Sequence, residues 1–274
     1  GGFFVSQDSD FISTDRFLNL KGQRVLITGA ASGIGEAMAI RFADAGAECI
    51  LLDIDESGLE ALASRLQAQG STASVAKIDL ERKSQIDAFW AGLSDESLPD
   101  ILVNNAGVYA LKDYLDIDET FLDSTLSINL NAIFWMCQHF IKRRLQKGGI
   151  IVNVSTIEAV LPFKKDLVAY GTSKAGVIAL TRGLARDYGP HGFRINVILP
   201  GAIKTPSTKR LMKMAIQRFK VDLIKTGYDF QTRLAMGRWG VPDEVARVAL
   251  FLASDLAAYV QGAVIPVDGG FLSS

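Results

Sequence analysis

The chain has 274 residues, 49% of them hydrophobic, with 29 Lys and Arg against 30 Asp and Glu. The balanced charge argues against a nucleic-acid or anionic-membrane partner, and no uncharged apolar run approaches the roughly eighteen residues of a membrane span. Length and apolar content suffice for one large core.

The first residues, Gly1-Gly2-Phe3-Phe4, lack Met, a basic n-region and the long apolar stretch of a signal peptide. Residues 1–20 read as a trimmed, poorly patterned arm ahead of one domain over 21–274. Strands are predicted at 24–28, 48–53, 73–78, 100–103, 149–154, 193–199 and 263–266. Helices are predicted at 34–45, 56–69, 83–92, 119–146, 168–188 and 242–253. Strands alternating with helical crossovers predict an α/β fold, a doubly wound parallel sheet in three layers. Continuously apolar runs such as Ile150-Ile151-Val152 fit strands buried on both faces. The ligand belongs outside the carboxyl ends of the strands, where strand order reverses. Cys49 and Cys137, far apart in apolar runs, read as buried free thiols and fit a reducing, cytoplasmic compartment.

The chain is organised around Thr28-Gly29-Ala30-Ala31-Ser32-Gly33-Ile34-Gly35, between the first strand and first helix. Glycine permits a sharp turn and close ligand approach, and the following helix start offers unpaired N–H groups and partial positive charge to a pyrophosphate. Asp53 ends the second strand, where a dinucleotide-binding fold holds the adenosine ribose hydroxyls. It would repel a 2′-phosphate, and Ala30, Ala31 and Ile54 supply no base to attract one, so NAD(H) is expected over NADP(H). Asp79, ending the third strand, is placed to accept from the adenine amino group or simply to end its strand. Asn104-Asn105-Ala106-Gly107 ends the fourth strand with small residues and turn-holding amides.

Asn129 and Asn131 interrupt the helical run from Phe121 to Arg144, either as a local kink or cap or as a kink that holds a water. His139, on the same helix, reads as a packing or surface residue. Ser155 and Thr156 end the fifth strand, and Tyr170 and Lys174 lie four apart on one face of the next helix. A phenol with a pKa of about 10 is a poor base at neutral pH; a nearby ammonium and the helix start are expected to lower it. A hydroxyl from Ser155 or Thr156 across the cleft completes an acid/base arrangement suited to an alcohol oxygen.

Together these motifs closely resemble the classical short-chain dehydrogenase/reductase family over about residues 20–271. Pro200-Gly201-Ala202-Ile203-Lys204-Thr205 and Val267-Asp268-Gly269-Gly270 extend the resemblance. It implies a Rossmann fold, a nicotinamide cofactor and a homo-oligomer, dimer or tetramer. Tyr170 would be the general acid/base. Lys174 would lower its pKa and bind the nicotinamide ribose, and Asn129 would position a relay water. Pro200, Gly201, Ile203 and Thr205 would line the nicotinamide end. Gly29, Ser32, Gly33, Ile34, Gly35, Asp53, Ile54, Asp79, Leu80, Asn105, Ala106 and Gly107 would line the rest of the dinucleotide. No residue is assigned to a metal.

The family usually carries Ser at the second position of the pair, thirteen residues before the Tyr. Here Thr156 lies fourteen before Tyr170, so one extra residue is inferred in the loop 157–169, with Thr156 in the serine's role and Ser155 as second choice. The expected activity is hydride transfer between NAD(H) and a secondary alcohol or ketone. The alternatives are an NADPH-dependent ketone reductase and a non-catalytic dinucleotide-binding protein.

Segments 108–118, 157–169 and 206–238 are expected to shape the substrate pocket, the last within a lid over 204–238. It holds nine bases, among them Lys204, Lys209, Arg210, Arg233 and Arg238, against Asp222 and Asp229. They form either a solvated face or, with Lys164 or Lys165 opposite, a site for an anionic substrate. The competing substrate is a neutral polyol read by Glu158 and Asn131, although Glu158 also reads as a solvated loop acid.

Overall fold

The β-branched runs of the sequence assemble into one seven-stranded parallel sheet in the computed structural model, which describes residues 17–206, 208 and 232–274. The strands are β1 (Arg24–Thr28), β2 (Glu48–Asp53), β3 (Ala73–Lys77), β4 (Ile101–Asn104), β5 (Gly149–Val154), β6 (Phe193–Pro200) and β7 (Val264–Val267), in spatial order β3-β2-β1-β4-β5-β6-β7. The order reverses between β1 and β4, where Val25 faces Ile101 and Ile27 faces Val103.

Helices cover both faces, as parallel strands require because their crossovers cannot be short turns. The helices α1 (Gly33–Asp44), α2 (Glu56–Ala68) and α7 (Pro242–Ala253) pack with Val25, Ile27 and Leu51. On the other face lie α3 (Lys83–Ala91), α5 (Ala132–Arg144) and α6 (Val168–Tyr188), against Leu26, Leu102 and Ile151. Neighbouring residues of β1 thus point into two separate cores, and all three are fully buried.

The helix expected over 119–146 is divided. It begins as α4 (Glu119–Leu126), passes through a π-helical turn at Ser127–Asn131, and continues as α5. Asn129 and Asn131 sit in that turn, where the wider ladder accommodates residues poorly suited to a helix interior. The buried Leu20 already packs with the first core, donating its N–H to Ala45 O at 2.8 Å. The remainder of the arm, residues 1–16, and the lid residues 207 and 209–231 lie outside the described residues.

Candidate active site

The carboxyl ends of β1 and β4 meet across the reversal point, and Thr28 fastens them. Its buried Oγ1 accepts from the N–H groups of Asn105 and Ala106 at 3.0 and 3.1 Å. Asn105 returns the favour through Nδ2, donating to the carbonyls of Thr28 and Gly29 at 3.1 Å each. This close docking explains two glycines. A Cβ on Gly29 would lie 2.8 Å from Ala106 Cα, and one on Gly35 would lie 2.0 Å from Gly29 O. Gly29 also has φ of +66°, which disfavours any side chain.

The resulting cradle fits a dinucleotide. Ser32 precedes α1 in extended conformation; its exposed side chain makes no capping hydrogen bond, leaving the first-turn N–H groups to a ligand's phosphates. Asp53 reaches back to the same loop: Oδ2 accepts from Ala31 N and Oδ1 from Asp55 N, each at 3.0 Å. A carboxylate has about four acceptor sites, so capacity remains for ribose hydroxyls. Ile54, next to it, is exposed. Asp79 is partly exposed and held locally: Oδ1 accepts from Glu81 N at 3.1 Å, and the other oxygen pairs with Arg82 at 3.2 Å. Leu80 is half-buried beside it, packed on the second core. Thr205 sits over the start of α1, 3.5 Å from where a Gly33 Cβ would be. Ile203 is buried, and Gly201 N donates to Val267 O at 3.0 Å, tying the Pro200–Thr205 segment to β7.

Deeper in the cleft, Asn129 and Lys174 converge on Gly107. A Cβ there would lie 3.0 Å from Asn129 Oδ1 and 3.1 Å from Lys174 Nζ. Asn129, presented by the π-helical turn, clamps Val108 at two points: Oδ1 accepts from its N–H at 2.8 Å and Nδ2 donates to its carbonyl at 3.0 Å. Lys174 is 3% exposed and donates to Val154 O at 3.0 Å; burial alone pushes its pKa down to about 8.

Tyr170 lies in the first turn of α6 beside Thr156, whose hydroxyl favours its phenolate. Ser155 is turned away, donating from Oγ to Lys174 O at 2.8 Å. Of the two hydroxyls considered from sequence, the cleft therefore holds Thr156 and the core holds Ser155.

The expected lowering of the Tyr170 pKa is not found. Burial pushes the phenol up to about 12, the Thr156 hydroxyl works against this, and the Glu158 carboxylate adds to it. The sequence pairs Tyr170 with Lys174 but does not reveal that its half-buried ring lies within the field of an acid.

Glu158 corrects a second expectation. It is 3% exposed, not a solvated loop acid. It follows Thr156 in the short 3₁₀ turn Ile157–Ala159 and accepts from Phe163 N at 3.4 Å. Tyr109, which the sequence did not single out, crosses Tyr170 edge to face with ring centres 4.9 Å apart, and the Lys164 ammonium lies 5.2 Å from the Tyr109 ring centre. Its only sequence signal was an aromatic two residues beyond the Asn-Ala-Gly turn. Asn131 is exposed, and His139 stacks on Trp90 with Nε2 2.8 Å from Asp87. Of the described lid bases, Arg238 pairs with Glu244 and Arg233 lies over the Phe271 ring.

A doubly wound sheet with a glycine-rich cradle at a helix start and a tyrosine–threonine pair beyond it defines a dinucleotide-dependent oxidoreductase. The family profile described as enoyl-(acyl carrier protein) reductase matches residues 29–272. D-threitol dehydrogenase of Mycolicibacterium smegmatis is 37% identical over 262 residues, covering 95% of this chain and 96% of the relative. NAD-dependent glycerol dehydrogenase of Listeria innocua is 34% identical over 264 residues, covering 95% and 98%. Among solved structures, a Beutenbergia cavernae protein assigned as an NAD(P)-dependent gluconate 5-dehydrogenase, with NADP bound at low occupancy, superimposes with a TM-score of 0.86 at 30% identity, covering 94% of this chain and 100% of that one. The chain belongs to the short-chain dehydrogenase/reductase family, and it is an oxidoreductase acting on CH–OH groups. No helix among the described residues is long and apolar enough to cross a membrane.

Proposed function

We propose that the protein is an NAD(H)-preferring dehydrogenase of small hydroxylated substrates, with Tyr170 as its acid/base residue. The observation that carries the reading is the Tyr170–Thr156 pair beside a cleft where Asn129 and Lys174 both converge on Gly107. The bound nicotinamide supplies the hydride donor or acceptor. Tyr170 moves the proton at the substrate oxygen, and Thr156 hydrogen-bonds that oxygen and orients it. Lys174, held at Val154 O, is assigned to the nicotinamide ribose, and Asn129 to keeping the Gly107–Val108 turn open to it. Names of relatives that act on threitol and glycerol support a polyol as substrate.

The NAD(H) preference rests on Asp53, an acid anchored to the glycine-rich loop with exposed Ile54, not a base, beside it. NADP in the B. cavernae structure supports the rival reading of an NADPH-dependent reductase. Measuring kcat/KM with both cofactors across a panel of polyols and ketones separates them. NAD(H) is expected to win by at least tenfold, and Asp53→Ala with Ile54→Arg is expected to reverse the order; equal efficiency refutes the preference.

The exposed, apolar Phe134 and Leu122 on the α4–α5 face, together with the edge strand β7, support a dimer or tetramer. Two free buried cysteines support a cytoplasmic setting.

A further inference from the structure

Glu158 is a buried acid that the proposed proton chemistry does not use. Carboxylates are almost never fully buried without a partner. Its charge is met by two backbone N–H groups, those of Phe163 and Lys164, and by the field of the Lys164 ammonium over Tyr109. Two donors leave part of its acceptor capacity open. The carboxylate is also next to the reacting oxygen's partners. It lies two residues beyond Thr156, and a Cβ on Gly171, the neighbour of Tyr170, would lie 3.9 Å from Glu158 Cγ. Its charge reaches both Tyr170 and Tyr109, whose rings cross at 4.9 Å.

We infer that Glu158 is a specificity residue that accepts a hydrogen bond from a second hydroxyl of the substrate, on the carbon beside the reacting one. The inference rests on the proposed activity and narrows its substrate to vicinal diols and longer polyols. A buried acceptor left unpaired by a mono-alcohol discriminates against it far more strongly than an apolar pocket can. The same charge repels a substrate carboxylate placed next to the reacting carbon, which counts against the anionic substrate considered from the basic lid.

The test compares butane-2,3-diol with butan-2-ol in the wild type, Glu158→Leu and Glu158→Gln, with NADH binding followed by fluorescence to establish folding. The wild type is expected to prefer the diol by about ten- to a hundredfold in kcat/KM, the factor for one hydrogen bond to a charged group. Glu158→Leu is expected to cut that ratio at least tenfold, chiefly through the KM of the diol. Glu158→Gln, equal in shape but uncharged, falls between, and it decides the matter alone if the leucine variant does not fold. A ratio unchanged in the glutamine variant overturns the inference and leaves Glu158 as a support for the loop through Phe163. Wild-type turnover without diol preference overturns the inference alone. NADH binding with no turnover of either alcohol overturns the proposed activity as well.

Discussion

In the proposed mechanism Tyr170 carries the proton chemistry, from an environment that disfavours its phenolate. Removing only its hydroxyl, in Tyr170→Phe, is expected to lower kcat by about 10²–10⁴-fold while NADH binding persists, measured by nicotinamide absorbance and fluorescence. Thr156→Ala is expected to be severe and Ser155→Ala mild, because only the threonine hydroxyl meets Tyr170 while the serine hydroxyl is spent on Lys174 O. The opposite order would mean that the loop after β5 is aligned by the wrong residue. The sign of the pH dependence follows from Glu158. A nearby carboxylate raises the phenol's pKa by repelling the phenolate, so neutralising it lowers that pKa. In the alcohol-oxidising direction, where Tyr170 acts as base, the rising limb of kcat against pH is therefore expected to move to lower pH in Glu158→Gln. Residue identities were legible in the sequence here: Tyr170, Lys174, Asn129 and Thr156 stand at recognisable spacings. Their electrostatics were not. The burial of Glu158 depends on how the loop folds back to place Phe163 N on its carboxylate, and no local pattern records that.

At the scale of elements, the chain advertised its strands well and its polar seams poorly. Six of the seven strands are largely apolar runs, β3 (Ala-Ser-Val-Ala-Lys) being the exception, and each formed within a residue or two of its expected place. The π-helical turn was visible only as two asparagines in an otherwise helical run, which identifies a disturbance but not its period. Nothing local pointed to the seam that joins β4, β5 and α6. There Asn104 Nδ2 donates to Asn153 Oδ1 at 2.9 Å, and Asn153 Nδ2 donates to Thr181 Oγ1 at 2.9 Å. All three residues are buried, so each depends on the others for its hydrogen bonds. Thr181→Val keeps the volume but leaves the Asn153 amide without its acceptor. The expected cost is about 1–3 kcal/mol, the usual penalty for an unsatisfied buried group, read from the midpoint and slope of a urea titration. An unchanged midpoint would show that the seam does not hold the two strand ends to the helix.

For the whole molecule, the sheet has two edges, β3 and β7, and they differ in kind. β3 carries the exposed Lys77 paired with Glu56, whereas β7 reads Val-Ile-Pro-Val. A charged edge resists pairing with another chain and an apolar one invites cover. Light scattering at micromolar concentration is accordingly expected to give a dimer or tetramer mass; a monomer mass would contradict the assembly. The centre of the sheet has a consequence of a different sort. Val25 of β1 pairs with Ile101 of β4, 76 residues later, whereas Val25 pairs with Cys49 of β2 after only 24. During synthesis at about 5–20 residues per second, β1 gains one neighbour early and then waits about 3–10 s for the other. A strand at the centre of the finished sheet, with Val25, Leu26 and Ile27 fully buried there, thus has one backbone edge unpaired for that interval. Nascent chains halted before Asn104 lack the partner that closes the two halves into one sheet, and their exposed strand edge makes them natural clients for chaperones.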